Sequence, residues 1–361
     1  MKVALESSSL FFKKYTGIPF YIHKLFSSLK GLNEVDPTLV FRLKKKWGNH
    51  TEFHKNLLNE KHAWHLGNRV LSRSKFDISH SLHTPFLHCS SCLNVATIHD
   101  LAVHLPEFQN FNFSSTYFKK KRFSLFTEFA KSADAIIAVS ETTKRDFLRF
   151  FDFPEERIHV VPLAPSHSLE KKQQLHSSVL EQLDLKPKTY FIAMGGVSLR
   201  KNTLNLIKAF HLSESKTNFK LIITGKIEAA HRDEVIQFVS INQLKSKIIF
   251  TDYLPDNDLQ HLYNNAKAFL FPTFYEGFGI PILEAMMAQL PVLTSTTGAA
   301  SETAGGFAVL VNPFEPESIA QGIDRLENIS LEHLEKARSY ALSHTWDNTA
   351  KLTTAVYEKY M

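Results

Sequence analysis

Only two cysteines occur in 361 residues, and that scarcity argues against a fold held by a disulfide framework. No apolar run approaches the roughly 18 to 20 residues that a membrane-spanning helix needs. The opening MKVALESSSLFFKK carries too short an apolar segment for a secretory leader, so a reducing cytoplasm is the default expectation. Low-complexity tracts are missing too, which removes a disordered or linker-like chain from consideration. Neither a G-x-G-x-x-G nor a P-loop spacing is present, and a Rossmann dehydrogenase is correspondingly disfavoured. What is there is the composition of an ordinary globular protein, 43% hydrophobic and 22% charged. At this length one core usually stops growing, so two domains are expected.

Charge divides the chain unevenly. Residues 1–164 hold 23 Lys+Arg against 15 Asp+Glu, a net of +8, whereas 165–361 hold 19 against 21, a net of −2. The positive clusters are Lys13-Lys14, Lys44-Lys45-Lys46 and Lys119-Lys120-Lys121-Arg122, the last two beside Trp47 and Phe118/Phe123. A solvated face is the plain reading of any one of them. Basic residues interleaved with aromatics also suit an anionic membrane surface or nucleic acid. The segment FQNFNFSSTYFKKKRF is the clearest case, read here as a membrane-facing or acceptor-facing element. The remaining phenylalanines are mostly core.

Periodicity predicts strands that alternate with helices, the mark of parallel βαβ units. In the first half, KVALE, LNVATIHD, ADAIIAVS and IHVVPLAP read as strands. A helix follows Gly17, over Phe20–Leu29, and ETTKRDFLRFF is a helix with Ser140 as its N-cap. The polar segment after Pro165 reads as a linker with a short helix. The rhythm then restarts through YFIAMGG, FKLIITG, KIIFTDY, AFLFPT, PVLTS and FAVLVN, with helices between. The expectation is an α/β chain of two doubly wound Rossmann-like domains facing a central cleft: 1–165 and 166–344, with the C-terminal segment 345–361 packing back on the first. Ligands of such sheets bind outside the carboxyl ends of the strands.

Two strand-end features carry chemistry. Gly195-Gly196 ends YFIAMGG, and Arg200-Lys201 precede a helix; glycines admit close backbone approach, and the two cations match a diphosphate. Further on, FYEGFGIPILEAMMAQ holds Glu276 and Glu284 with no charge between them. Pro281 suits the first turn of a helix. That places Gly277, Phe278 and Gly279 in the entering loop, Glu276 on the loop, and Glu284 one turn into the helix. A carboxylate accepts bidentate hydrogen bonds from vicinal hydroxyls, so two acids at this spacing suit two sugar rings.

These residues carry a resemblance. The block FPTFYEGFGIPILEAMMAQLPVLTSTTGAASETAGGFAVLVNPFEPESIAQGI resembles the donor-binding half of the retaining glycosyltransferases of family 4, with the GT-B fold and its Glu-x7-Glu hallmark. GGVSLRKN, TIHDLAVHLPE, AVSETTKRDF and HTWDNTA are similar to further segments of that family, so the likeness spans nearly the whole chain. It implies that Arg200 and Lys201 hold the donor diphosphate. Glu276, with backbone of Gly277, Phe278 and Gly279, holds sugar hydroxyls, while Glu284 binds the ribose. Gly196 lines the phosphate loop, backbone at Tyr253 and Leu254 receives the base, and Gly17 approaches the diphosphate. His99 lies near the donor sugar across the cleft. The N-terminal loop departs from the family pattern: in YTGIPFYIHKL only Gly17 matches, and Pro19 and Phe20 stand where Gly and Arg are common.

His80 and His83, which follow FDIS, read as a strand end, are candidates for the acceptor side together with Asp100 and Ser140. The run HSLHTPFLHCSSC is read as an inert loop. It has one Cys pair where structural zinc wants two ligand pairs, and it precedes a strand where a redox dithiol opens a helix. The resemblance implies a metal-independent retaining transferase with no cofactor, moving a sugar from a nucleotide-diphosphate donor to a glycan or lipid-linked acceptor in surface polysaccharide assembly. GDP-mannose is the first donor expected, with UDP-sugars after it. The basic first domain is expected to dock on the inner face of an anionic membrane, without nucleic acid as a partner. Two rivals stand beside this reading: a sugar-nucleotide 2-epimerase of the same architecture, and a basic nucleic-acid-binding protein, against which the acidic second half argues.

Overall fold

The structure, a computed structural model, describes all residues except 12–16, 48–51, 68, 72–74, 109–115, 166–177 and 197. The Lys13-Lys14 cluster, residues 109–115 of the FQNFNF segment and most of the linker after Pro165 lie outside the described residues. The chain splits into two compact units. The first joins Met1–Glu107, Ser114–Ala164 and His344–Met361; the second joins Phe108–Phe113 and Pro165–Ser343.

The first unit begins with β1 (Lys2–Glu6), α1 (Ile18–Lys30), β2 (Asp36–Arg42), α2 (Glu52–Leu58), β3 (His62–Leu66), β4 (Arg69–Leu71) and β5 (Ile78–Ser81). It continues with β6 (Leu93–Ile98), α3 (Thr116–Ser132), β7 (Ala135–Ala138), α4 (Glu141–Leu148) and β8 (Ile158–Val160). Its sheet runs β4-β3-β2-β1-β5-β6-β7-β8, parallel except for the β3–β4 pair. Strands buried on both faces read as continuous apolar runs, which is why AIIA and VAL stand out in the sequence. The stretch 36–71 adds β2, α2, β3 and β4 to the elements expected from periodicity. Phe86, Phe126, Phe129, Phe147, Phe151 and Phe153 fill one core cluster under β6–β8, where much of the phenylalanine content goes.

The second unit holds α5 (Val179–Gln182), β9 (Tyr190–Met194), α6 (Thr203–Leu212), β10 (Lys220–Thr224), α7 (Ala229–Ile241), β11 (Ile248–Thr251) and α8 (Asp256–Asn265). After these come β12 (Ala268–Phe271), α9 (Ile280–Met287), β13 (Val292–Ser295), α10 (Ala300–Ala304), β14 (Val309–Val311), α11 (Pro316–Arg325) and α12 (Leu331–Ser343). The sheet is wholly parallel in the order β11-β10-β9-β12-β13-β14. That is the doubly wound 3-2-1-4-5-6 order, with its switch point between β9 and β12. The loops leaving these two strands therefore face a common site.

A last helix, α13 (Trp346–Tyr360), belongs to the first unit. The Thr345 hydroxyl caps it by accepting from the amide of Asn348 at 3.1 Å. It lies against α1, where Ser28 Oγ donates to Asp347, and Thr349 Oγ1 donates to the Pro162 carbonyl. No described helix is long and apolar enough to cross a membrane.

Candidate active site

The site of the second unit is built where β9 and β12 end. After β9 the chain passes through Gly195 and Gly196 at φ +112° and +66°, conformations that side-chain-bearing residues rarely adopt. Space excludes a side chain as well. A Cβ on Gly195 would meet the Lys201 methylenes at 2.6–2.9 Å, and one on Gly196 would meet the Lys226 carbonyl oxygen at 1.9 Å. The missing Cβ on Gly195 lets the Lys201 stem lie across the strand end. Asn202 turns the chain into α6 at φ +60°. Its buried amide donates to the carbonyls of Pro272 and Pro313 at 2.9 and 2.6 Å, tying the β9 loop to the loops that follow β12 and β14. The Arg200 carbonyl accepts from the Phe274 amide across the same gap, at 3.1 Å.

These ties bring three charges together. Arg200 Nη1 and Lys201 Nζ lie 2.9 and 2.8 Å from the same oxygen, Oε1 of Glu276. Arg200 also donates to the Tyr275 carbonyl at 3.1 Å, and the Lys201 ammonium stands 4.7 Å from the centre of the Phe271 ring. Burial opposes ionisation of Glu276, but the Arg200 and Lys201 charges outweigh it and hold the carboxyl below the usual carboxylate range. Burial lowers the Lys201 ammonium, with Glu276 pulling the other way. The cluster is graded in exposure, from Arg200 at 39% to Lys201 at 17% and Glu276 at 11% of their side chains. An incoming anion meets Arg200 first.

The loop from Glu276 enters α9 as expected, with Gly279 at φ +110° before Ile280 and Pro281 in the first turn. Thr303 of α10 fastens it by donating to the Phe278 carbonyl at 2.6 Å. Glu284 is buried within α9 and charges the surroundings of Tyr263, whose phenol is raised well above its ordinary value, by burial first and by Glu284 second. Gly298 escapes the motif reading. Its Cβ would meet the Glu276 amide nitrogen at 2.8 Å and carbonyl oxygen at 2.9 Å, and the next residue, Ala299, donates to that carbonyl. The signal available for it is the lone glycine in TSTTGAAS, just past a strand. Tyr253 and Leu254 follow β11, the edge strand, two strands away from β9.

In the first unit the candidates separate. His80 is corrected: it is fully buried, because β5 continues through it to Ser81 rather than ending at Ser79. Its ring nitrogens bond the hydroxyls of Tyr357 at 2.7 Å and Thr97 at 2.8 Å, and burial pushes its pKa down to about 3. It is a core histidine. Ser140 is likewise buried and spent on capping α4, accepting from the Thr143 amide at 3.0 Å. His83 and His99 lie at the strand ends as neighbouring rings with centroids 6.1 Å apart. His83 Nδ1 lies 2.9 Å from Ser9 Oγ, and His99 Nε2 donates to the Leu82 carbonyl at 2.9 Å. Burial lowers them to about 3 and about 4, so both are neutral near pH 7. Asp100 accepts from the Ala102 amide and stands 3.8 Å from Arg122. Gly17 opens α1 at φ +57°, beside residues outside the description.

Cys89 and Cys92 are joined by a disulfide. That is a single bridge within one turn, where the composition argued only against a framework. Asn94 shapes the turn, donating to both cysteine carbonyls and accepting from the Cys89 amide. Among the described residues no group of three or more His, Cys, Asp or Glu is placed to hold a metal ion.

A family model described as "Glycosyl transferases group 1" matches residues 180–344, and one described as "Glycosyltransferase Family 4" matches 33–164. O-antigen chain mannosyltransferase B of Escherichia coli is 30% identical over 272 residues, 73% of this chain and 70% of that protein. The serotype-specific mannosyltransferase WbdA of Escherichia coli is 28% identical over 250 residues, covering 67% of this chain but only 30% of that longer protein. Among solved structures, Anabaena Alr3699/HepE in complex with UDP and glucose shares the fold at a TM-score of 0.73 and 15% identity, over 99% of this chain and 98% of that one.

Proposed function

This chain belongs to glycosyltransferase family 4 and is a GT-B glycosyltransferase; from that premise we propose that it transfers mannose from GDP-mannose, with retention, to a glycan or lipid-linked saccharide of a surface polysaccharide. The observation that carries the donor site is the convergence of Arg200, Lys201 and Glu276 at the switch point of the second sheet, with Glu284 on the adjoining helix. The names of the mannosyltransferases above support the sugar and the kind of product.

In this reading Arg200 and Lys201 take the diphosphate, Glu276 the sugar hydroxyls, and Glu284 the ribose. Cleavage of the glycosyl–phosphate bond leaves negative charge on the diphosphate, and two cations aimed at it lower the barrier by electrostatics. The departing phosphate then accepts the acceptor's proton on the same face, which keeps the anomeric configuration. Neutral His83 supplies hydrogen bonds rather than charge on the acceptor side, and neutral His99 does the same near the donor sugar. Contact with an anionic membrane at the cytoplasmic face is assigned to α3, which exposes Tyr117, Phe118 and Phe123 beside exposed Lys120 and Lys121.

A panel of GDP- and UDP-sugars, screened by thermal shift and then for acceptor-dependent transfer, tests the proposal. GDP-mannose is expected to raise the melting temperature most and to be consumed only with acceptor present. Consumption of donor alone, with mass balance to an isomer, would indicate an epimerase instead.

A further inference from the structure

The three charged groups at the switch point satisfy one another. Both cations converge on one oxygen of Glu276, so a diphosphate reaching for them meets a carboxylate already in place. Lys201 is flanked by the Phe271 ring on one side and by Gly195 along its stem, and Arg200 is the more exposed of the two cations. Two anions on the same buried ammonium also repel. The Glu276 backbone is fixed, held by the close approach of Gly298 and by the Ala299 amide. With its backbone held, Glu276 leaves the cations by rotation of its side chain and not by movement of its loop.

Resting on the donor site argued above, we propose that Glu276 is the competing anion that occupies Arg200 and Lys201 between turnovers. The arriving diphosphate, with more charge than one carboxylate, displaces it. The freed carboxylate finds new partners only if a sugar is attached, in that sugar's hydroxyls. A nucleotide sugar is thus compensated for the displacement and a bare nucleoside diphosphate is not. After transfer, the return of Glu276 to the two cations helps expel the product. No covalent bond changes in the exchange, and the pair of cations faces an anion at each stage. The device makes the enzyme select donor over product with a residue that also holds the donor.

The test is calorimetric titration of GDP, UDP and inorganic pyrophosphate into the wild-type chain, Glu276→Gln and Glu276→Ala, alongside transfer assays. Expected is about ten-fold tighter binding of the best diphosphate by Glu276→Gln, the scale of one charge-assisted contact, together with lost transfer. A merely structural glutamate moves both in the same direction. Should Glu276→Gln melt early, Glu276→Ala carries the same test, with added acetate expected to weaken diphosphate binding in that variant and not in wild type. Diphosphate affinity equal to or weaker than wild type in both variants, with acetate inert, overturns the inference alone. Failure of all three probes to bind the folded wild type and both folded variants overturns the donor-site reading and this inference with it.

Discussion

The two units are built alike, as parallel doubly wound sheets, yet they carry opposite kinds of polar group at their strand ends. The first holds imidazoles that burial keeps neutral: His83 and His99 at strand ends, with His80 in the core behind them. The second holds a half-buried ion cluster of Arg200, Lys201 and Glu276. The difference shows how a buried polar site is stabilised. A lone titratable group gives up its charge, whereas grouped opposite charges keep theirs. Neutral donors and acceptors suit the positioning of hydroxyls, and fixed charges suit a diphosphate whose charge grows during reaction.

Breaking the charged side should give the largest effect. Lys201→Ala is expected to lower kcat by about 10²-fold or more, the scale of removing one preorganised stabilising group. Glu284→Gln should instead raise the donor KM. Steady-state assays check both, and unchanged kinetics in the pair would remove these residues from the donor site. The equivalent breach in the first unit acts on stability. His80→Phe leaves the Tyr357 and Thr97 hydroxyls without their imidazole partner, and a loss of about 3 kcal/mol is expected by denaturant titration. Near-wild-type stability would mean that the hydroxyls re-pair.

The comparison sharpens with pH. His80 titrates near 6.5 when unfolded and at about 3 when folded, so below pH 6.5 the unfolded chain takes up a proton that the folded chain refuses. Stability is full above that pH and falls as pH drops toward 3, by about 2 kcal/mol at pH 5 for this one group. His83 and His99 act in the same direction, more weakly to the extent that solvent reaches them. Calorimetry between pH 7 and 5 should show the first unit's transition falling, and His80→Phe should flatten the slope; a slope unaltered in that variant would place the linkage elsewhere. The smallest effect is expected at α3. Lys120→Glu with Lys121→Glu should weaken sedimentation with anionic vesicles by about 1 kcal/mol per lysine. Equal binding by both proteins would assign membrane contact to another surface.

Much of the proposed donor site is legible in the sequence because its parts are local. The Gly195-Gly196 turn, Arg200-Lys201 before a helix, and the Glu276–Glu284 loop each lie within a few residues of a strand end, where pattern and turn chemistry act. Their union was not legible. Lys201 and Glu276 are 75 residues apart, and only the β9–β12 pairing with the Asn202 ties makes them partners. Gly298 depends in the same way on the approach of another loop. His80 was misplaced because FDIS looks like a strand end. Pairing on both sides, to β1 and β6, carries β5 on to Ser81, and Tyr357 then closes over the ring from 277 residues away.

From the sequence by itself came the alternating elements, the two-part division of charge and the motif of two acids, since periodicity and turn preference are properties of neighbours in the chain. Tertiary structure alone decided which charges touch, which histidines are sealed from water and which glycines are irreplaceable. Those outcomes depend on the distance and solvent exposure of groups that meet only when the sheets assemble.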